Sequence, residues 1–417
     1  MPISTRSGPR ALRVALVSEH ASPLAQLGGV DAGGQNIHVA ALATALARRG
    51  HEVEVFTRRD DPEPPETVEA GGFRVVHVPA GPPHPVPRDD LLPYMTEFGE
   101  WLAARWTGAP PDVVHSHYWM SGVAAMRAGA GAPEEGRLPL VTTFHALGTV
   151  KRRLPGLADT SPIEREELEP LVAHRADRVI AQSADEVGEL LKIGLGRGQI
   201  AVVPSGVDLD RFRPGPGGPR LRSPEETPRI LSVGRMVPRK GFLDLIKALR
   251  RVPGAYLTIA GGPAKERLRE DPVARRLVET AEGLGVADRV ELLGGVPNDR
   301  MPELYRSHDL LACTPAYETF GMTPLEAMAC GTPVVAYAVG GLADSVAHGV
   351  SGLLVAPGDV DGLAKAIREL LTVEPRRYAY AVAGMSQAQA RYPWPRVAEQ
   401  VEAVYRSVIA RQLVSLR

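Results

Sequence analysis

Two pairs of charged residues in the second half of the chain have the types and spacing to do chemistry. Arg235 and Lys240, in GRMVPRKG (234–241), stand either side of a proline-containing turn. Two cations at the carboxyl end of a strand suit a diphosphate, and can neutralise the charge that grows on a departing phosphate. A solvated basic turn accounts for an isolated pair equally well. Glu318 and Glu326 lie in YETFGMTPLEAMACG (317–331). There Thr323 is the expected N-cap of a helix, with Pro324 at N1 and Glu326 in the first turn. The amides of Met322 and Thr323 are then left over for phosphate oxygens. One carboxylate can face a sugar and the other a vicinal diol. For Glu326 a helix-dipole role is the competing reading.

The first half supplies a Gly-rich loop, LGGVDAGGQN (27–36), between a strand and a helix. Gly28, Gly29, Gly33 and Gly34 permit positive φ and close backbone approach, and the following helix aims its N-terminal amides at the loop. Phosphate is a natural ligand there. The spacing is not that of a dinucleotide fingerprint, and a flexible connection is the alternative. Histidines cluster at strand ends in HSHYWMSG (115–122) and TTFHALG (142–148). His115 and His117 hint at a metal, but no further ligands stand at usable spacing, so no metal site is expected. His145 is either a structural histidine or, at a cleft mouth, a donor to a sugar hydroxyl or developing charge. Asp208 and Asp210 look like a magnesium pair, but their place at a domain junction favours a structural turn.

These residues need elements to hold them. Short apolar runs at 11–18, 51–58, 73–79, 112–117, 139–145 and 178–183 read as strands. Residues 35–48 carry apolar positions at helical spacing and Gly50 follows as a stop, so the opening is a βαβ unit with a parallel sheet. The second half repeats the logic, with strands at 229–235, 255–262, 289–295, 309–315, 333–338 and 352–357. The expected fold is α/β, two doubly wound Rossmann-like domains facing a cleft. The first spans 1–207 and the second 208–390. Residues 391–417 form a helix packing back on the first. The Pro/Gly-rich stretch 211–228 is a linker or surface loop. Ligands in such sheets sit beyond the carboxyl ends of the strands, where the charged loops lie.

Composition removes other classes. The chain has 417 residues, comfortable for two domains, and a formal net charge of −1, which argues against a nucleic-acid partner. Its two cysteines, Cys313 and Cys330, cannot make a disulfide framework. No apolar run approaches a membrane span, and the polar start MPISTRSGPR is not a secretory signal, so a cytoplasmic location is expected.

Together the motifs resemble the retaining GT-B glycosyltransferases (group 1, family 4), over nearly the whole chain. ALVSEHASPLAQLGGVDAGGQN and DVVHSHYWMSG are similar to the inositol-phosphate N-acetylglucosaminyltransferases of the mycothiol pathway. GPPHPVPRDDLLPYMTEF (81–98) looks more like sucrose-phosphate synthases. The resemblance implies that Arg235 and Lys240 hold the diphosphate, that Glu326 binds the nucleotide ribose and that Glu318 touches the donor sugar. It places backbone amides of Phe320, Gly321, Met322 and Thr323 near sugar and phosphate, Gly34 near the β-phosphate, and Gly295 near the base. His145 contacts the donor sugar and is not a metal ligand. Asn36, Arg88, Tyr118, Arg165 and Glu19 fall in the acceptor site. Ala146 stands where the inositol-phosphate enzymes have Thr, and Glu19 where they have an apolar residue.

The implied reaction is metal-independent, retaining transfer of a hexose or N-acetylhexosamine, with no cofactor beyond the nucleotide-sugar co-substrate. UDP-sugar is the expected donor and GDP-sugar the alternative. The acceptor is a small polar molecule such as a cyclitol phosphate or sugar phosphate, or an aminocyclitol in a natural-product pathway, where Glu19 would meet an amine. A homodimer is compatible with this reading. A non-catalytic nucleotide-sugar-binding protein is the rival of another class, separated by assaying hydrolysis of the donor with and without acceptor.

Overall fold

The computed structural model describes residues 10–25, 33–130, 137–153 and 160–415. Each apolar run becomes a strand. In the first sheet these are β1 (Arg13–Val17), β2 (Glu52–Arg58), β3 (Thr67–Ala70), β4 (Phe73–Val78), β5 (Val113–His117), β6 (Leu140–Thr143), β7 (Arg178–Ala181) and β8 (Ile200–Val202). Their order is β3-β4-β2-β1-β5-β6-β7-β8. All neighbours are parallel except β3 on β4. The edge strands β3 and β8 escape the sequence reading: β3 (TVEA) has no apolar run, and β8 lies in a run of only four apolar residues, 200–203.

The second sheet contains β9 (Arg229–Val233), β10 (Tyr256–Ala260), β11 (Val290–Gly294), β12 (Leu310–Cys313), β13 (Val334–Tyr337) and β14 (Gly352–Val355), in the order β11-β10-β9-β12-β13-β14. It is parallel throughout. Its inner strands are buried on both faces, which is why they read as continuous apolar runs rather than alternating ones.

Strand order reverses between β1 and β5 in one sheet and between β9 and β12 in the other. Loops leaving these strands part to opposite faces and open a crevice at each reversal. The charged motifs fall on those loops: Glu19 after β1, Tyr118 after β5, Arg235 and Lys240 after β9, Glu318 after β12.

The chain returns to the first sheet at its end. The helix Trp394–Ser415 buries Val397, Ala398, Val401, Tyr405 and Val408 against Val39, Leu42 and Leu46 of the helix Gly34–Arg48 and against strand residues such as Leu16 and Val55. Each such side chain contributes roughly 1.5–3 kcal/mol. Glu402 adds a 2.7 Å pair with Arg49. Val207 bridges Pro393 where the chain crosses between the sheets, and Trp394 lies where a side chain on Gly206 would go.

Candidate functional site

The cation loop is shaped by one glycine. Residues 238–240 form a single 3-10 turn that ends at Gly241, with φ +71°. A Cβ on Gly241 would stand 1.8 Å from the Thr314 carbonyl oxygen. Only glycine lets the turn after β9 sit on the end of β12. Two further bonds lock the loops together, Ala316 N–H to the Arg239 carbonyl at 2.8 Å and Thr314 Oγ1 to the Gly241 carbonyl at 3.0 Å. That packing delivers Lys240 Nζ to Glu318 Oε2 at 2.7 Å. Burial pushes the Glu318 carboxyl up, but Lys240, then Arg239 and Arg235, outweigh burial and hold it below the usual carboxylate range. Arg235 itself is exposed toward solvent. The four residues singled out in sequence thus supply two cations, an ionised carboxylate and, on the neighbouring helix, Glu326.

That helix runs Met322–Ala329, and its N-cap is Gly321 with φ +89°. The expected N-cap, Thr323, is instead the second residue of the helix, and Pro324 the third. The left-handed turn at Gly321 is the reason: it lets the helix start two residues early, whereas a side chain there would meet Leu342. The amides of Met322 and Thr323 still belong to the first turn, where no intrahelical acceptor reaches them. Phe320 is buried, its ring edge-on to Tyr392. Gly340 is held against this loop, and Gly341 N–H donates to the Glu318 carbonyl at 2.8 Å.

Glu326 is buried and accepts from Tyr305 Oη at 2.7 Å. Burial raises its carboxyl to about 7, against the opposing Tyr305 bond. A buried carboxyl poised between its two forms beside a cleft is unusual for a residue whose task is only to cap a helix. Gly295 donates its N–H to the Pro263 carbonyl at 2.8 Å, next to Gly294 with φ +72°.

The first sheet faces these groups with a second helix N-terminus. A Cβ on Gly34 would lie 3.4 Å from Met322 Sδ, so the N-termini of the helices Gly34–Arg48 and Met322–Ala329 converge across the cleft. Both present the positive end of a helix dipole. Gly28 and Gly29 lie outside the described residues. Asn36, expected to meet the acceptor, is buried with both ends of its amide used: Oδ1 accepts from Gly33 N–H and Nδ2 donates to the Ser22 carbonyl, each at 3.0 Å. It shapes the loop instead.

The acceptor candidates do converge. Arg88 and Arg165 place their guanidinium carbons 5.6 and 5.2 Å from the centre of the Tyr118 ring. Arg165, however, is buried and its donors are spent within the protein, on Glu169, the Ala146 carbonyl, Ser161 and Tyr118 Oη. It sets the Tyr118 ring and the 146–148 backbone from beneath. Glu19 is likewise spent: its carboxylate takes His20 Nδ1 at 2.7 Å and the Ser121 hydroxyl, and it has no exposed surface. The expectation that Glu19 meets an acceptor amine is therefore not met in this arrangement. His20, which the sequence reading passed over, lies edge-on to Tyr118 with ring centres 4.9 Å apart. No motif marks it; its position directly after β1, at the reversal of strand order, is the signal that was available.

Among the described residues, Tyr118 (φ 85°) and His145 (φ 60°) are the non-glycine positions with positive φ. They follow adjacent strands, tied by Tyr118 N–H to the Thr143 carbonyl at 2.8 Å. Strain of this kind persists where surrounding structure over-determines it. His145 Nε2 meets His117 Nδ1 at 2.9 Å. His115 is not its partner in a metal site; it bonds Tyr405 and Thr143. Sequence spacing suggested no further ligands for His117. The fold brings His38 and His145 to it, so close that one ring nitrogen from each of the three lies within 4.8 Å of the others. Asp208 Oδ1 accepts from the amides of Asp210 and Arg211, the structural turn expected. An open concavity lies elsewhere, beside β14 near His348 and Tyr380, and is lined by none of these residues.

Comparisons with known proteins identify the family. Residues 32–211 match the family model described as Glycosyltransferase Family 4, and residues 219–385 match Glycosyl transferases group 1. A D-inositol 3-phosphate glycosyltransferase of Catenulispora acidiphila is 38% identical over 98% of each chain. Another, from Mycolicibacterium smegmatis, is 39% identical over 94% of this chain and 90% of its own. Among solved structures, a sucrose-phosphate synthase from Thermosynechococcus elongatus superposes with a TM-score of 0.85 at 31% identity, over 95% of this chain and 99% of that one. Anabaena HepE, solved with UDP and glucose, shares the fold with a TM-score of 0.70 at 21% identity, over 95% of this chain and all of its own. With both family models matched in turn and relatives aligned along nearly the whole chain, the protein belongs to the group 1, family 4 glycosyltransferases of GT-B fold.

Proposed function

We propose that this glycosyltransferase retains anomeric configuration and moves a hexose or N-acetylhexosamine from a UDP-sugar to a small phosphorylated polyol, a cyclitol phosphate or sugar phosphate. One observation carries the donor half: Lys240, Arg235 and Glu318 meet beside the Met322–Ala329 helix N-terminus, opposite the Gly34 helix N-terminus. A diphosphate there faces cations and two dipoles. Glu318 and Glu326 are left to take hydroxyls, the first of the sugar and the second of the ribose diol. The names of the relatives, which act on inositol phosphate and make sucrose phosphate, support the acceptor class, and the HepE complex supports UDP.

The reaction proceeds on one face of the sugar. The bond from the anomeric carbon to the β-phosphate oxygen breaks, and the acceptor oxygen bonds to the same face. Its proton passes to the departing phosphate oxygen. No side chain forms a covalent bond to the sugar, so the protein's contribution is positioning and charge stabilisation. His145 touches the donor sugar. The Arg88–Tyr118 face, backed by Arg165, receives the acceptor's phosphate. Because Glu19 is already paired with His20 and Ser121, a phosphorylated acceptor is favoured over an aminocyclitol. No metal or further cofactor is needed.

The test is product analysis. The protein is incubated with UDP-glucose or UDP-N-acetylglucosamine and inositol phosphate or fructose 6-phosphate, and the anomeric coupling of the product is read by NMR. An α-linked product from the α-donor supports the proposal. A β-linked product removes the retaining mechanism, and transfer to unphosphorylated acceptors alone removes the acceptor class.

A further inference from the structure

The donor and acceptor reading uses only His145 of a cluster of three histidines. His38 comes from the helix Gly34–Arg48, His117 ends β5, and His145 follows β6. Their rings pack as a unit, with centroid separations of 5.7 Å (His38–His117), 4.9 Å (His38–His145) and 5.2 Å (His117–His145).

We infer that His38, His117 and His145 form a binding site for one borderline transition-metal ion of the zinc class, and that its occupation takes His145 away from the donor sugar and stops transfer. The second clause rests on the proposed role of His145; the first does not.

Three observations carry the site. First, one nitrogen from each ring lies within 4.8 Å of the others, and His117 Nδ1 stands 2.9 Å from His145 Nε2. Three imidazoles on one tetrahedral zinc stand roughly 3.3–3.4 Å apart, from zinc–nitrogen bonds of about 2.0–2.1 Å. The closest pair opens slightly and the widest closes by side-chain rotation. Second, the His38 ring is held from its Nδ1 side, by Ser205 Oγ at 2.8 Å and Gln182 Nε2 at 3.3 Å. The Gln182 amide donates to Nδ1 in this arrangement, so binding a metal through Nε2 requires Nδ1 to take the proton and donate to Ser205 Oγ. Third, His117 Nε2 is buried with no hydrogen-bond partner, so no protein acceptor competes with Nδ1 in setting the tautomer, and with the proton on Nε2 the Nδ1 lone pair is available to an ion.

An ion enters from the cleft, where His145 is half-buried beside the exposed Ala146. With three protein ligands, a water completes the tetrahedron. A network of imidazole hydrogen bonds and edge-on rings with no affinity for metal is the competing reading.

The experiment uses the full chain freed of any purification tag and treated with chelator. It is titrated with Co²⁺ and read by visible absorption, then back-titrated with Zn²⁺. One equivalent of Co²⁺ is expected to give the intense bands of a four-coordinate ion, and Zn²⁺ to remove them. His38→Gln and His117→Gln should each abolish the bands. His115→Gln, which alters a ring packed 4.2 Å from His117 but outside the cluster, should keep them. Absence of the bands, or their survival in His117→Gln, overturns the site. In the transfer assay, one equivalent of Zn²⁺ should lower the rate at least tenfold, and His38→Gln should lose that sensitivity. If Zn²⁺ binds but transfer continues, the role of His145 at the donor sugar is wrong and the metal site stands. If no donor and acceptor support transfer, the proposed function fails while cobalt still reports on the site.

Discussion

Replacing Glu326 by Gln separates the stability of the empty protein from its affinity for donor. In the folded protein burial lifts the Glu326 carboxyl to about 7 from an ordinary 4.5. The sign follows directly. Between those values the unfolded chain has released the proton and the folded protein keeps it, so stability falls as pH rises through that window and the loss is complete above about 7. At roughly 1.4 kcal/mol per pH unit, the full cost is about 3 kcal/mol. Gln has no such titration and still offers an oxygen to Tyr305 Oη. The variant's advantage over wild type should therefore grow from under about 1 kcal/mol at pH 5 to about 3 kcal/mol at pH 8. Urea unfolding of both proteins at a series of pH values measures it, and the difference removes every group the two share, including Glu186, another buried carboxyl raised to about 7. UDP binding should move the opposite way. A lost charge-assisted pair to the ribose costs about 1.5–3 kcal/mol, or roughly a 10- to 100-fold rise in Kd. A pH-independent stability difference refutes the burial argument. Unchanged UDP affinity refutes the ribose assignment.

Three further outcomes follow from the same geometry. Lys240→Ala should lower turnover with saturating donor by about 10²–10³-fold, the range seen when one charge-stabilising donor is removed, and unchanged turnover would end the leaving-group assignment. Gly241→Ala should cost at least about 2 kcal/mol in urea unfolding, from left-handed strain plus the Thr314 clash, and should weaken UDP binding because the turn carrying Lys240 must shift; a fully stable variant would mean that the loop packing is misread. Arg88→Ala should raise acceptor KM at least tenfold by losing about 1.5–3 kcal/mol of phosphate contact while UDP affinity stays unchanged, and a matching loss of UDP affinity would place Arg88 on the donor side.

Much of the Lys240–Glu318 loop region was legible because its determinants are local. The turn around Lys240 needs a glycine at 241, and the helix after Glu318 announces itself by Gly321, Pro324 and an apolar run, although its start was misplaced by two residues. Sequence offers Thr323 as a cap; the left-handed Gly321, packed against Leu342, takes that position instead. Residue type alone was a poorer guide to the acceptor side. Asn36, Glu19 and Arg165 are polar residues on the right loops, yet each is buried with its hydrogen-bonding groups bound inside the protein. Whether a polar side chain faces a ligand or holds up the wall behind it depends on neighbours distant in the chain. For Glu19 that neighbour is Ser121, and for Arg165 it includes Tyr118.

By itself the sequence determined two parallel sheets, the cleft at their carboxyl ends and the loops that carry charge into it. Apolar runs, glycine stops and proline turns act over a few residues, so a linear reading captures them. Only the tertiary structure decided which side chains meet. Lys240 pairs with Glu318 because β9 and β12 are neighbours in the sheet. His38, His117 and His145 converge because a helix and two adjacent strands end at one point, and no spacing along the chain encodes that convergence.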